Sequence, residues 1–260
     1  MGKQLNIQKR LGRKPFQGVS NIVRFNWHFF VVATILVAAI FLLGDGLFPE
    51  GYAKALAFLL AAVVLIPLFV SWYIYDYSDL YKLNWLEEEK GEKLNSIWNI
   101  HAGFDETSMI LKKKFPHAEL MVFDFYDSTK HTEISIRRAR RSQPIYEGTI
   151  PISINNPKLP DRDPDCILLI FAAHEIRNRQ ERAEFFALLR KRMKANCKLY
   201  ILEHFRDLPN LLAYSFGAFH FYSRTEWEAT ASLAKLEIIR KQSVNPFVHL
   251  LILRPLESAS

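Results

Sequence analysis

Two apolar runs constrain this chain more than any other feature. The 20 residues 25–44 contain no Asp, Glu, Lys or Arg, and neither do the 21 residues 55–75. Each matches the roughly 20 residues a helix needs to cross the hydrocarbon of a bilayer. Trp27 stands at one end of the first run, and Trp72, Tyr73 and Tyr75 at one end of the second, where an aromatic belt would lie. Pro67 falls inside the second run and is expected to kink it. The connection DGLFPEGYAK (45–54) is short and carries Gly and Pro, which predicts a helical hairpin. A signal peptide is the alternative for the first run, but the run is long for an h-region, no convincing A-x-A cleavage site follows it, and a second run comes at once. Two core helices of a soluble bundle are the other alternative, but neither run shows a polar face.

The charge supports the hairpin. The net charge is +7, and residues 1–26 hold +6 of it as Lys3, Lys9, Arg10, Arg13, Lys14 and Arg24, with no acid. Basic residues just ahead of a span place the N-terminus in the cytoplasm. Two crossings return the chain to the same side. The expected location is therefore the inner (cytoplasmic) membrane, with the remaining domain facing the cytoplasm. A nucleic-acid partner is not expected, because the basic patch sits on a tail and not on a folded domain. Two cysteines exclude a disulfide framework and a four-cysteine zinc site. Cys166 and Cys197 border apolar runs and are expected as buried thiols.

The expected organisation is a basic tail (1–24), the hairpin (25–75), a helical linker or cap (76–95) and an α/β domain (96–255). Strands are expected at 96–102, 118–125, 149–154, 166–174 and 197–204, with two more apolar runs at 236–242 and 247–253. Helical spacing falls at 106–115, 129–141 and 177–195. CILLIFAAH is apolar throughout, as in a strand buried on both faces. Alternation of this kind predicts a Rossmann-like, doubly wound, mostly parallel sheet with ligands at the carboxyl ends of its strands.

Those strand ends resemble the class I S-adenosylmethionine-dependent methyltransferases, over roughly residues 75–255. The stretch Asn99-Ile100-His101-Ala102-Gly103-Phe104-Asp105 resembles the family's D-x-G-x-G loop, with Gly103 keeping a family glycine. Asn99 replaces the acid and His101 the first glycine. Asp124 in VFDF resembles the acid that holds the ribose hydroxyls, and Phe125 would flank the adenine. Asn155, followed by Leu159-Pro160, resembles the position near the adenine amino group. Ala173 closes the fourth strand on the cofactor side. The resemblance implies S-adenosylmethionine as cofactor. Tyr75, Tyr77 and Tyr81 resemble a cap over it, or else are interfacial anchors.

Polar clusters follow the late strands: HEIRN (174–178), EHFRDLPN (203–210) and HFYSRTEW (220–227). His174 or His204 is the expected base, with His220 nearby, and Arg177 and Arg206 would orient an acceptor. Glu175 and Asp207 would hold those groups in place. The alternative is an ion-pair network bracing a lid. No metal is expected, because HEIRN lacks the H-E-x-x-H spacing. Residues 208–222 read as an apolar lid, and beside an anchor they imply a lipophilic acceptor, lipid-like or polyketide-like. RRARR (137–141) is a solvated helix end or a contact to anionic headgroups. The leading expectation is a membrane-anchored methyltransferase. The competing one is a non-catalytic methyltransferase-like scaffold or partner subunit, in which His101 and Phe104 fill the cofactor cleft. A nicotinamide-binding reductase is a weaker reading, because G-x-G-x-x-G is missing.

Overall fold

A computed structural model describes residues 13–49, 51–86 and 94–256. The chain begins with helix α1 (Gln17–Phe25), followed by the apolar helices α2 (Trp27–Leu43) and α3 (Tyr52–Trp72). Gly44 lets the hairpin close, because its Cα faces the side chain of Ala53 too closely for a Cβ. The apolar windows have mean hydropathies of 2.3 and 2.5, yet only 6% and 17% of their residues are buried. A core helix of a soluble protein would be mostly covered. Here Phe29, Leu42, Phe58 and Phe69 stand exposed. Both helices are long and apolar enough to cross a membrane, and the protein itself leaves most of their apolar surface uncovered.

The α/β domain follows a π-helical turn (Tyr73–Tyr77). Its elements are β1 (Ser96–His101), α4 (Ser108–Lys114), β2 (Glu119–Asp124), α5 (Ile134–Ser142), β3 (Ile150–Pro151) and β4 (Cys166–Ile170), followed by α6 (Arg179–Arg190), β5 (Lys198–Glu203), α7 (Leu208–Tyr214), α8 (Arg224–Leu233), β6 (Leu236–Asn245) and β7 (Val248–Pro255). One seven-stranded sheet runs in the order β3-β2-β1-β4-β5-β7-β6. Strands β1 to β5 are parallel, and β7 is antiparallel to both β5 and β6. The order reverses between β1 and β4, and the crevice at the carboxyl ends of those two strands is where such sheets bind ligands.

Alternating side chains build two cores. Trp98 and Ile100 of β1 face the layer of Phe185, Phe186 and Trp227. Ile97 faces the opposite layer, which includes Val70 and Ile74 from the end of the hairpin. The hairpin is thus docked on one face of the sheet. Its two ends also meet, because the Asp76 carboxylate accepts from the backbone N–H groups of Gly18 and Val19 at 2.7 and 2.9 Å. The hairpin therefore leaves and re-enters the domain on the same side.

Three elements differ from expectation. Strand β3 has only two residues of the expected 149–154, and Pro151, the second of them, has no N–H to donate to a ladder. Residues 17–25, within the segment expected as a basic tail and the start of a span, form α1. Helix α8 was read only as part of a polar cluster. It starts at a capping-box pattern, with Ser223 accepting from the N–H of Glu226.

Candidate active site

A cavity of about 380 Å³ opens at the reversal between β1 and β4. Its floor comes from the segments just after those strands, including His101, Phe104, Phe171 and His174. Its roof comes from α1 and the residues after α3, including Phe25, Tyr75 and Tyr81. Glu106 pins this roof: one of its oxygens accepts from the Gln17 and Asn21 amides at 3.1 Å, and the other from the Tyr81 hydroxyl at 3.0 Å. Tyr75 and Tyr81 therefore cap the cavity, while Tyr77 is exposed.

The β1 end is polar and buried. The Asn99 amide donates to the hydroxyls of Thr107 and Ser108 at 3.0 and 2.8 Å. His101 Nδ1 accepts from the backbone N–H of Gly103 at 3.1 Å, so the ring proton sits on Nε2. Burial lowers the His101 pKa and keeps the ring neutral. Its Nε2 is buried without a partner. Gly103 has φ +90°, and a Cβ there would meet Tyr126 at 2.9 Å and Arg140 at 3.1 Å. A glycine is required at that point on both counts.

Asp124 ends β2 with both oxygens engaged. One accepts from the Tyr126 N–H at 2.9 Å, and the other is held by the Arg140 guanidinium. Arg140 also stacks 4.6 Å from the Tyr126 ring. The RRARR segment is therefore not simply a solvated helix end. Its Arg138 likewise donates to the carbonyl of Phe25 at 2.7 Å, where α1 ends. Phe125 is buried among Phe185 and His131 instead of facing the cavity. Asn155 is exposed and lies outside the lining. Ala173 is fully buried beneath the site.

The β4 end carries a histidine–carboxylate pair. His174 lies in a 3-10 turn after β4, and Glu203 is the last residue of the neighbouring β5. Glu203 accepts from the His174 backbone N–H at 3.2 Å and from its ring Nδ1–H at 2.7 Å. The Glu203 side chain is only 1% exposed. His174 Nε2 faces Glu175 at 3.2 Å. Burial opposes a charge on His174, but the Glu203 carboxylate and the hydrogen bonds to Glu175 and Glu203 outweigh it and raise the pKa to about 10. Glu175 is also penalised by burial, yet His174 and Arg177 hold it down to about 2.

His220 completes the cluster. Its ring centroid lies 5.4 Å from that of His174. Arg177 covers this imidazole and donates to the His220 carbonyl at 2.9 Å. Burial, with the positive charges of His174 and Arg177, lowers His220 to about 4. Ligating atoms of His174, Glu175 and His220 lie within 4.8 Å of one another. Both nitrogens of His174 already face carboxylates and Arg177 covers His220, so the protein's own groups balance the charge of this cluster.

Three residues expected near the acceptor lie elsewhere. His204 donates from Nδ1 to the Phe247 carbonyl at 2.9 Å and accepts the Tyr75 hydroxyl at Nε2, 2.7 Å away. It is stacked between Phe171 and Phe221, and burial lowers it to about 4. With its nitrogens held by a hydroxyl and a backbone carbonyl and its pKa lowered, it is a structural histidine outside the cavity lining. Arg206 is exposed and outside the cavity lining, and Asp207 caps α7. Glu203 was missing from the expected site, although its position at the end of an apolar strand, next to His204, was legible.

No family model and no curated protein sequence matches the chain. Several solved structures are similar to it. One is an S-adenosylmethionine-dependent methyltransferase from Clostridium acetobutylicum, 11% identical over 62% of this chain and 84% of that one, at a TM-score of 0.46. Another is an O-methyltransferase family 2 protein from Planctomyces limnophilus in complex with apigenin, 14% identical over 75% and 61%, at 0.48. A third is a mitomycin 7-O-methyltransferase, 13% identical over 94% and 74%, at 0.49. These are loose likenesses.

Proposed function

We propose that the chain is a membrane-anchored, S-adenosylmethionine-dependent methyltransferase that methylates a hydroxyl group on a lipophilic acceptor. The observation that carries this reading is the His174–Glu203 pair, set in a cavity at the reversal point of the sheet. Methyl transfer from a sulfonium needs mostly positioning, and a base is required only when the acceptor is a weak acid such as a hydroxyl. A histidine oriented by a buried carboxylate supplies that base once it has given up its Nε2 proton, which Glu203 and Glu175 hold up to about pH 10. Glu203 fixes the ring with its proton on Nδ1 and stabilises the imidazolium that forms when Nε2 takes the acceptor proton.

Bound S-adenosylmethionine would supply the electrophilic methyl group. The residues of the β1 end fit its amino-acid half: the cavity is open there, and His101 Nε2–H is a buried donor with no partner. Asp124 is buried just outside the cavity lining and would reach the ribose hydroxyls only once Arg140 leaves it. The lipophilic acceptor and the anchor are supported by the exposed apolar hairpin and the apolar lid. The basic residues before α2 support a cytoplasmic domain on the inner membrane.

A second reading has its own support. Arg140 on Asp124, and His101 in place of a glycine, favour a non-catalytic relative. One experiment separates the two. The full chain, in its membrane, is incubated with methyl-tritiated S-adenosylmethionine and a total lipid extract. The enzyme reading expects label in the apolar extract, lost in His174→Ala. No label with any extract, from a chain that also fails to bind the cofactor, supports the scaffold.

A further inference from the structure

The segment between β5 and α8 turns an uncovered apolar face outward. Leu208 and Leu212 stand one turn apart on α7, and after the helix ends at Ser215 the adjoining 3-10 turn exposes Phe216 and Phe219, with Phe216 88% exposed. No charged residue lies between Leu208 and Phe219. The opposite face is packed, with Asn210, Ala213 and Ala218 all buried. A charge-free segment that exposes four large apolar side chains marks an interaction site.

Its place in the fold decides the partner. Helix α7 packs on the last turn of α3, where the Tyr214 hydroxyl lies 3.5 Å from Ser71 Oγ. Val70 and Ser71 are buried there, while Ile66 and Phe69 just before them are exposed. Val70 and Ser71 belong to the charge-free run 55–75. Whatever covers them sits at the depth of that run's last turn. The segment continues the uncovered surface of the hairpin.

We propose that the outer face of residues 208–219 lies in the interfacial layer of the bilayer that the hairpin spans. The occupant is the boundary between headgroups and acyl chains, where an apolar helix face is stabilised by burial. The inference rests on the membrane reading of the hairpin. It deepens that reading, because the same segment ends at His220, whose ring lies against His174. An acceptor dissolved in the bilayer then reaches the base beneath this segment without crossing water.

Site-directed spin labelling tests it. The native cysteines are both buried, so a nitroxide reacts at an introduced one. Phe216→Cys and, separately, Leu212→Cys are labelled in the full chain. Each is reconstituted into vesicles of phosphatidylcholine and phosphatidylglycerol. Collisions with dissolved oxygen are compared with those of a water-soluble nickel chelate. Leu36→Cys in α2 and Glu184→Cys on the exposed face of α6 serve as bilayer and water references. The expected result is oxygen collisions exceeding nickel collisions at 216 and 212, as at 36, and the reverse at 184. Labels at 216 and 212 that behave like 184, while 36 behaves as lipid-exposed, overturn this inference alone. A label at 36 that reports water overturns the membrane reading beneath it.

Discussion

Replacing Glu203 with Gln keeps the shape of the pair and removes its charge. His174 is held near pH 10 against an ordinary value of 6.5. At about 1.4 kcal/mol per pH unit, that gap corresponds to roughly 5 kcal/mol favouring the imidazolium, shared between Glu203 and Glu175. Below its pKa the ring is protonated and cannot accept the acceptor's proton. The rate of the native enzyme should therefore climb with pH toward about 10. In Glu203→Gln only Glu175 remains, so the rising limb should move down by about 2 pH units. The maximal rate should also fall, because the weaker base takes the proton less readily and the ring is no longer fixed. The assay is the initial rate of tritiated methyl transfer into the apolar extract between pH 6 and about 10, repeated for Glu203→Gln and His174→Ala. His174→Ala should lose about 10² to 10⁴ in rate, the usual worth of a general base. A limb that stays in place in Glu203→Gln, or a His174→Ala variant with native rate, refutes the assignment of the base.

Other predictions follow from the same geometry. Arg140→Ala should tighten S-adenosylmethionine binding by about tenfold, because a charge-assisted bond of about 1.5 kcal/mol or more no longer competes for Asp124; calorimetry would read an unchanged affinity as evidence against this. The His174 pKa is raised on folding, so the pair stabilises the fold fully below pH 6.5 and loses that contribution as pH rises through about 10. Thermal midpoints of the native chain and of His174→Gln should accordingly converge toward high pH, and a constant gap would contradict it. Arg182 is fully buried and paired with Glu226 at 2.6 Å, so Glu226→Ala should cost about 3–5 kcal/mol in denaturant unfolding. Trp227→Ala should cost a similar amount by opening a cavity beneath α8, and a loss under about 1 kcal/mol would show that this core is misassigned.

Much of the fold is legible because hydrophobic pattern reports it directly. Residues 25–44 and 55–75 announce helices by the absence of charge, and CILLI announces a central strand by the absence of polar alternation. The site is less legible because it depends on which strands are neighbours. His174 stands out in sequence, whereas Glu203 gains meaning only once β4 and β5 lie side by side. His204 carries the same chemistry as His174 on paper, and only packing shows Tyr75 and the Phe247 carbonyl taking both of its nitrogens. Arg140 looks like one charge in a basic run, and its bond to Asp124 arises from the way α5 folds back over Gly103. Helix α1 hides in a stretch rich in charge, and its role as a roof depends on Asp76 and Glu106, both far along the chain.

The central claim is that this cavity holds S-adenosylmethionine above a base. Calorimetric titration of the full chain in lipid nanodiscs with S-adenosylmethionine tests it most directly. The account predicts saturable binding at one site per chain, weakened in Asp124→Ala and retained in His174→Ala. No heat of binding in the native chain and in Arg140→Ala alike, or binding that Asp124→Ala leaves unchanged, would contradict it.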